Sequence, residues 1–271
     1  MAYTCWYYWI FEPTARAYQD DGSALPASTV DLTVDGRSCS LALFLSERGH
    51  PHLARLSMPG LTAEALPDEC QRAAHTIREH LLSTLRISFD QEVRHSFAPA
   101  PFMLFTQDGD PPALKIRMDY QDNRPPLDGS DVKNAFIATW SLREQLRLFT
   151  DGTERELPVQ YRFLSYYRII ELQYKKGNGK WNSDALDQLI QRSSVALTRN
   201  DIKDLRHQCA HITVRDDQSG EFDGVTHLES IKIEAVLKAL PEMRELCRCL
   251  LNEVANGAFT IAEPAYPAPA R

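Results

Sequence analysis

The segment Arg206-His207-Gln208-Cys209-Ala210-His211 combines side chains that can do chemistry together. An imidazole gains and loses a proton near neutral pH, and a guanidinium neutralises the negative charge that develops on a phosphate during transfer. The residue types therefore favour phosphoryl chemistry. In that chemistry a histidine would move a proton and a nearby arginine would neutralise the charge on the phosphate.

Two other interpretations of the histidine pair stay open. His207 and His211 lie at positions i and i+4, which is a spacing that zinc ligands use on a helix. The segment reads HQCAH, however, and lacks the glutamate of the HExxH metalloprotease motif. An ordinary solvated helix face carrying two histidines needs no ligand at all. We predict no metal site.

The motif is predicted to lie on a helix over 201–214 with Asn200 as its N-cap. The apolar residues follow a 3, 4, 3 spacing that clusters them within about 80° of the helix circumference, and these are Ile202, Leu205, Cys209 and Ile212. His207 and His211 fall on the opposite face with Asp204, and Arg206 falls at the edge of the apolar stripe. Five residues apart, Arg206 and His211 diverge by about 140°, so a second protomer or the reach of the arginine must bring them together.

The remaining helical elements follow from periodicity in the second half of the chain. Helices are predicted over 131–149 and 158–175, from Leu186 onward, and along an apolar face from Met243 to Val254. Strand patterns nearly vanish after the loop QDNRPPLDGS at 121–130, which indicates a domain boundary. We therefore predict an all-helical domain over 128–258 and a disordered Pro/Ala-rich tail over 259–271.

The first 127 residues mix strand and helix patterns and predict an α+β domain. Two apolar runs around Asp35-Gly36 predict a hairpin at about 29–45. Apolar residues recurring every three or four positions predict one long helix over 63–85. The runs 101–106 and 113–120 predict a second strand pair. We expect a sensing or partner-binding role for this domain.

Taken together, the motif and the helix FLSYYRIIELQ (163–173) resemble the HEPN superfamily, in its Apea-like and methylamine-utilisation-associated branch. The resemblance covers about 155–256. It implies a helical bundle that forms a homodimer and cleaves RNA without a metal ion or other cofactor, through attack of the 2′-hydroxyl on the adjacent phosphorus. His211 would be the general base or acid and Arg206 would hold the phosphate. His207 would orient the site or form a hydrogen bond with the RNA.

The resemblance also implies a setting and an alternative. HEPN-like modules often serve as regulated effectors of toxin or antiphage systems, so a regulatory protein partner is expected. The alternative is a catalytically silent bundle that binds nucleic acid or a protein. Glu171 could orient a histidine, or it could be an ordinary surface residue of its helix.

Net charge by segment bears on the RNA interpretation. The chain carries a formal charge of -7, which argues against a protein coated in basic residues. Residues 154–215 nevertheless carry 11 Lys/Arg against 7 Asp/Glu, a surplus of +4 around the motif. Candidate RNA-binding residues on or beside the motif helix and in the preceding loop are Arg199, Lys203, Arg215, Lys175 and Lys176. The loop lysines fit a solvated charge run equally well.

Cysteine usage and hydropathy suggest the cellular setting. The six cysteines show no disulfide-framework spacing, which is typical of a reducing cytoplasm. The N-terminal run MAYTCWYYWIFEP is too short to span a bilayer. We expect a cytoplasmic protein without a membrane partner.

Overall fold

The computed structural model describes residues 2–12, 18–20, 25–89, 94–95, 102–107, 109–112, 114–116, 125–175, 177, 179–210, 230–255 and 261. These residues form two compact units that divide between Ser141 and Leu142. The first unit contains an antiparallel sheet with helices, and the second unit is helical. The prediction of an α+β region followed by a helical region is confirmed at this level. The predicted tail over 259–271 lies outside the described residues except for Ile261.

The sheet of the first unit contains four long strands, β1 (Tyr3–Glu12), β3 (Ser28–Val34), β4 (Arg37–Leu45) and β5 (Pro51–Leu61). They lie side by side in the order β3-β4-β5-β1. The predicted hairpin is confirmed, because β3 pairs with β4 around Asp35 and Gly36, whose φ angles are 51° and 78°. A two-residue turn with positive φ at both positions matches the twist of the strands it joins.

The predicted pairing between the strands at 101–106 and 113–120 is wrong. Strand β7 (Phe102–Thr106) pairs with β1, as does the short β6 (Arg94–His95). Strand β8 (Leu114–Ile116) pairs instead with β2 (Tyr18–Asp20). Alternating apolar residues predict that a segment is a strand, but the partner is decided by which sheet edge is open, here that of β1.

Helix α1 (Asp68–Phe89) covers one face of the sheet with the apolar stripe that predicted it. Helix α2 (Gly129–Thr139) packs on α1 and β3. The buried His80 of α1 joins the two helices, since its Nε2 lies 2.9 Å from the carbonyl oxygen of Phe136. Helix α2 therefore lies in the first unit, and the division falls after Ser141 rather than after residue 127.

The second unit contains α3 (Arg143–Thr153), α4 (Val159–Tyr174), α5 (Ser183–Ser193), α6 (Arg199–Ala210) and α7 (Ser230–Ala255). The predicted helix over 131–149 is two helices, because a 3-10 turn at Trp140–Leu142 separates α2 from α3. Helix α4 lies at the centre and contacts α3, α6 and α7. Its fully buried residues are Phe163, Tyr166, Ile169 and Ile170. Within the described parts of the chain, no helix is long and apolar enough to cross a membrane.

Candidate functional site

Helix α6, which carries the motif, starts at a reciprocal cap formed by Thr198 and Asp201. Thr198 donates to Asp201 Oδ2 from both its backbone N (2.8 Å) and its Oγ1 (2.6 Å). In return, the Asp201 backbone N donates to Thr198 Oγ1 over 3.1 Å. The predicted N-cap Asn200 is therefore wrong: it lies inside the helix, and Thr198 satisfies the first free N–H groups instead.

A second anchor holds the segment before α6 against α7. The Glu242 carboxylate of α7 accepts hydrogen bonds from the backbone N of Ala196 (2.5 Å) and of Leu197 (3.0 Å). Because both bonds go to a charged acceptor, they are stronger than bonds between neutral groups. The start of α6 is thus fixed to the bundle, and with it the positions of the side chains further along the helix.

Arg206 rests on an aromatic ring of the central helix. Its guanidinium carbon lies 5.6 Å from the ring centroid of Tyr167 of α4, which is within cation–π range. Among the residues that the structure describes, no carboxylate lies within 4.0 Å of the Arg206 guanidinium. The ring therefore supports the arginine while leaving its N–H donors available to an anion. Burial raises the pKa of Tyr167, and the nearby Glu171 charge adds to this, so the phenol stays protonated at neutral pH.

The loop between α4 and α5 places Trp181 beside Tyr167. Lys175 and Trp181 form an antiparallel bridge, and the backbone N of Asn182 donates to the carbonyl oxygen of Tyr174 over 2.8 Å. These contacts close the loop at its base. The Trp181 and Tyr167 ring centroids are 5.9 Å apart with the planes inclined at 52°. The half-buried indole is thereby held in place although it lies in a loop.

These elements enclose a cleft of about 860 Å³ within the second unit, which we call the Arg206 cleft. Its polar and aromatic lining comes from α4, the loop after it and α6, and includes Tyr167, Glu171, Lys175, Trp181, Arg199, Lys203, Asp204, Arg206 and His207. Four of these side chains are Lys or Arg and two are Asp or Glu. The described lining is thus basic on balance, and its volume suits a ligand the size of a nucleotide.

The Glu171 carboxylate pairs with two cations, one on its own helix and one immediately after that helix. Its largely buried carboxylate accepts from Arg168 Nη1 over 2.6 Å and from Lys175 Nζ over 2.7 Å. Burial acts to raise the pKa of this carboxyl, but the hydrogen bonds and charges of Lys175 and Arg168 outweigh it, and the pKa is lowered. Glu171 therefore carries a negative charge in the cleft wall and holds Lys175 there.

The cysteine inside the motif is buried and its thiol is protonated. Cys209 is buried, and burial raises the pKa of its thiol to about 12. A neutral thiol is a poor nucleophile and a poor metal ligand. In the described ranges, no group of three His, Cys, Asp or Glu side chains is arranged to hold a metal ion.

The structure brings six of the nine predicted site residues together in the Arg206 cleft. They are Arg206, His207, Glu171, Lys175, Arg199 and Lys203. His207 is exposed on α6 and Arg206 is half-buried, as the helical positions predict. The other three, His211, Arg215 and Lys176, lie outside the described residues.

Sequence reasoning missed two residues that line the cleft, Tyr167 and Trp181. Tyr167 reads as part of the apolar stripe of α4, yet the fully buried tyrosine is its neighbour Tyr166, and Tyr167 is turned toward Arg206. Trp181 lies in the polar stretch KKGNGKWNS that separates two helices. A tryptophan amid lysines and glycines was the available signal, because a large aromatic side chain outside an apolar stripe often serves a ligand.

No family model, curated protein or solved structure matches the chain. The resemblance to the HEPN superfamily therefore depends on the residues quoted above and stays a prediction.

Proposed function

We propose that the second unit is a HEPN-type domain that cleaves RNA without a metal ion, with Arg206 and His211 as its catalytic pair. The observation that supports this most is the Arg206 cleft, in which an arginine without a described carboxylate partner lies beside His207 among further cations. A phosphodiester is the anion that such a cleft suits, since guanidinium and ammonium groups both contact its oxygens.

The proposed reaction is a transesterification within the RNA. The 2′-oxygen attacks the adjacent phosphorus and gives its proton to a histidine, while the bond from phosphorus to the 5′-oxygen breaks. The departing 5′-oxygen takes a proton, which leaves a 2′,3′-cyclic phosphate and a 5′-hydroxyl. Arg206 stabilises the charge on the phosphate oxygens, and His211 moves the protons. His207 orients the site or forms a hydrogen bond with the RNA.

The proposal includes a homodimer through the helical unit. On one helix, Arg206 and His211 diverge by about 140°, so the pair that acts on one phosphate would come from two protomers. We further propose that the first unit senses a trigger or binds a regulatory partner, as expected of a cytoplasmic defence effector.

The test is incubation of the purified chain with structured and unstructured RNA in EDTA. We expect cleavage to 2′,3′-cyclic phosphate ends, with a loss of roughly 100- to 1,000-fold in Arg206→Ala and roughly 100- to 10,000-fold in His211→Ala. Arg147→Ala is the matched control, because Arg147 pairs with Asp151 on α3, outside the cleft.

The outcomes separate the competing interpretations. Cleavage that appears only after divalent metal is supplied favours a metal-dependent enzyme through His207 and His211. Absence of cleavage, together with RNA binding that persists in His211→Ala, favours the catalytically silent module. Cleavage that survives both Arg206→Ala and His211→Ala contradicts the assignment of the site.

A further inference from the structure

The Arg206 cleft contains an aromatic surface that the proposed reaction does not use. Trp181 lines the cleft and contacts one other described aromatic ring, that of Tyr167. Tyr167 is also contacted by the Arg206 guanidinium. Trp181 has no such cation against its ring among the described residues, and its half-buried indole has surface left for a ligand.

Backbone and ring contacts hold the indole at the cleft. The bridge between Lys175 and Trp181, and the bond from Asn182 to Tyr174, fix the backbone at Trp181 and at the residue after it. Tyr167 supports the ring from the side of α4. A ligand that stacks there loses little free energy in ordering the protein, since the ring is already in place.

Three cations follow one another along the α6 side of the same cleft. Arg199, Lys203 and Arg206 are spaced four and three residues apart, so they lie on one face of the helix over about 10 Å. Arg199 also lies 3.6 Å from Asp187 of α5, whereas Lys203 has no carboxylate within 4.0 Å among the described residues. This row suits the repeated phosphates of a nucleic-acid backbone better than a single small anion.

We propose that Trp181 stacks on one unpaired base of a single RNA strand whose backbone lies along Arg199, Lys203 and Arg206. This inference depends on the proposed function, because it takes RNA as the ligand of the site. It adds a residue, Trp181, that distinguishes unpaired from paired nucleotides. A base can stack on an indole only after it has left its own helix, so Trp181 selects unpaired nucleotides over duplex RNA.

The experiment measures binding separately from cleavage. The probe is a labelled 2′-O-methyl oligoadenylate of about ten nucleotides, which cannot be cleaved because its 2′-oxygens are blocked. Fluorescence anisotropy in EDTA gives its dissociation constant for the full chain. We expect Trp181→Ala to weaken binding roughly 5- to 150-fold, the range of base stacking on aromatic side chains. Trp181→Phe should keep most of the affinity.

Two controls separate stacking from folding. Tyr161→Ala removes an aromatic side chain that is 56% exposed on α4 and does not line the cleft, and it should leave binding unchanged. A probe of the same length without bases should bind wild type and Trp181→Ala equally. The difference in tryptophan fluorescence between wild type and Trp181→Phe gives the contribution of Trp181. This contribution should decrease when the probe with bases binds.

The outcomes distinguish this inference from the proposed function. If wild type binds the probe and Trp181→Ala binds it equally well, the stacking role is wrong, whatever the cleavage assay shows. If Trp181→Ala loses binding while wild type cleaves no RNA, the stacking role stands and the ribonuclease assignment fails. No binding of the probe by wild type overturns the stacking role, and the cleavage assay then decides the ribonuclease assignment by itself. Tighter binding of a duplex probe overturns the selection of unpaired bases.

Discussion

Gly152 lies near the end of α3, where α3 packs against Tyr166 of the central helix α4. A Cβ added at this position would lie 2.5 Å from both Cε1 and Cζ of Tyr166 and 2.9 Å from its Cδ1. Carbon atoms pack best at about 3.5–4.0 Å, so the ring would have to move by about 1 Å. The ring is 1% exposed and packs edge-on against Phe149 at 5.5 Å, and therefore has little room to move.

The magnitude follows from two opposing contributions. Overpacking a close-packed core costs about 1–3 kcal/mol, and three ring carbons in conflict place this site at the upper end. Replacing glycine by alanine in a helix contributes about 1 kcal/mol in the other direction. We therefore predict that Gly152→Ala lowers the free energy of unfolding by about 2 kcal/mol.

The assay is urea unfolding followed by far-ultraviolet circular dichroism, with the midpoint and the slope fitted separately. Gly177→Ala is the matched control. Apart from its chain neighbours, no heavy atom of the described residues lies within 4 Å of the added Cβ, and the backbone is not left-handed there. A Gly152→Ala variant as stable as wild type would refute the packing described for α3 and α4. A lower midpoint for both variants would show that the effect is not specific to this contact.

Two further predictions concern His52 and the start of α6. Burial lowers the pKa of His52 from 6.5 to about 4. Between these two pH values the unfolded chain binds more protons than the folded chain. The free energy of unfolding therefore decreases as pH drops through this window, by up to about 3 kcal/mol. In unfolding midpoints measured against pH, His52→Gln should show a smaller decrease than wild type over this window. His75→Gln, at a side chain that is 64% exposed, should show the same decrease as wild type. Equal pH slopes in wild type and His52→Gln would contradict this prediction. Thr198→Ala should lower stability in thermal melts by about 1 kcal/mol through loss of its cap, and Asn200→Ala should change it far less; the reverse order would restore Asn200 as the N-cap.

The chemistry of the candidate site could be read from the sequence only in part. Arg206, His207 and Lys203 follow from one amphipathic helix, and local periodicity is enough to place them on its polar face and edge. Arg199 was placed only beside that helix, because the predicted start lay at residue 201. The convergence of these residues with Glu171 and Lys175 could not be read, because it depends on how α4 and α6 pack. The N-cap was misplaced by two residues because Asn200 and Thr198 are both good capping residues, and only the backbone geometry selects one.

Local sequence patterns determined which segments of this protein form helices and strands, and the tertiary structure decided which of them pack together. The hairpin around Asp35-Gly36, the long helix α1 and the helical second half follow from turn chemistry and apolar spacing, which act over a few residues. Strand β7 joins β1, and α2 joins the first unit, through contacts between residues far apart in the sequence. The aromatic wall of the Arg206 cleft arises in the same way: Tyr167 and Trp181 become neighbours because the α4–α5 loop folds back on itself, and no local pattern carries that information.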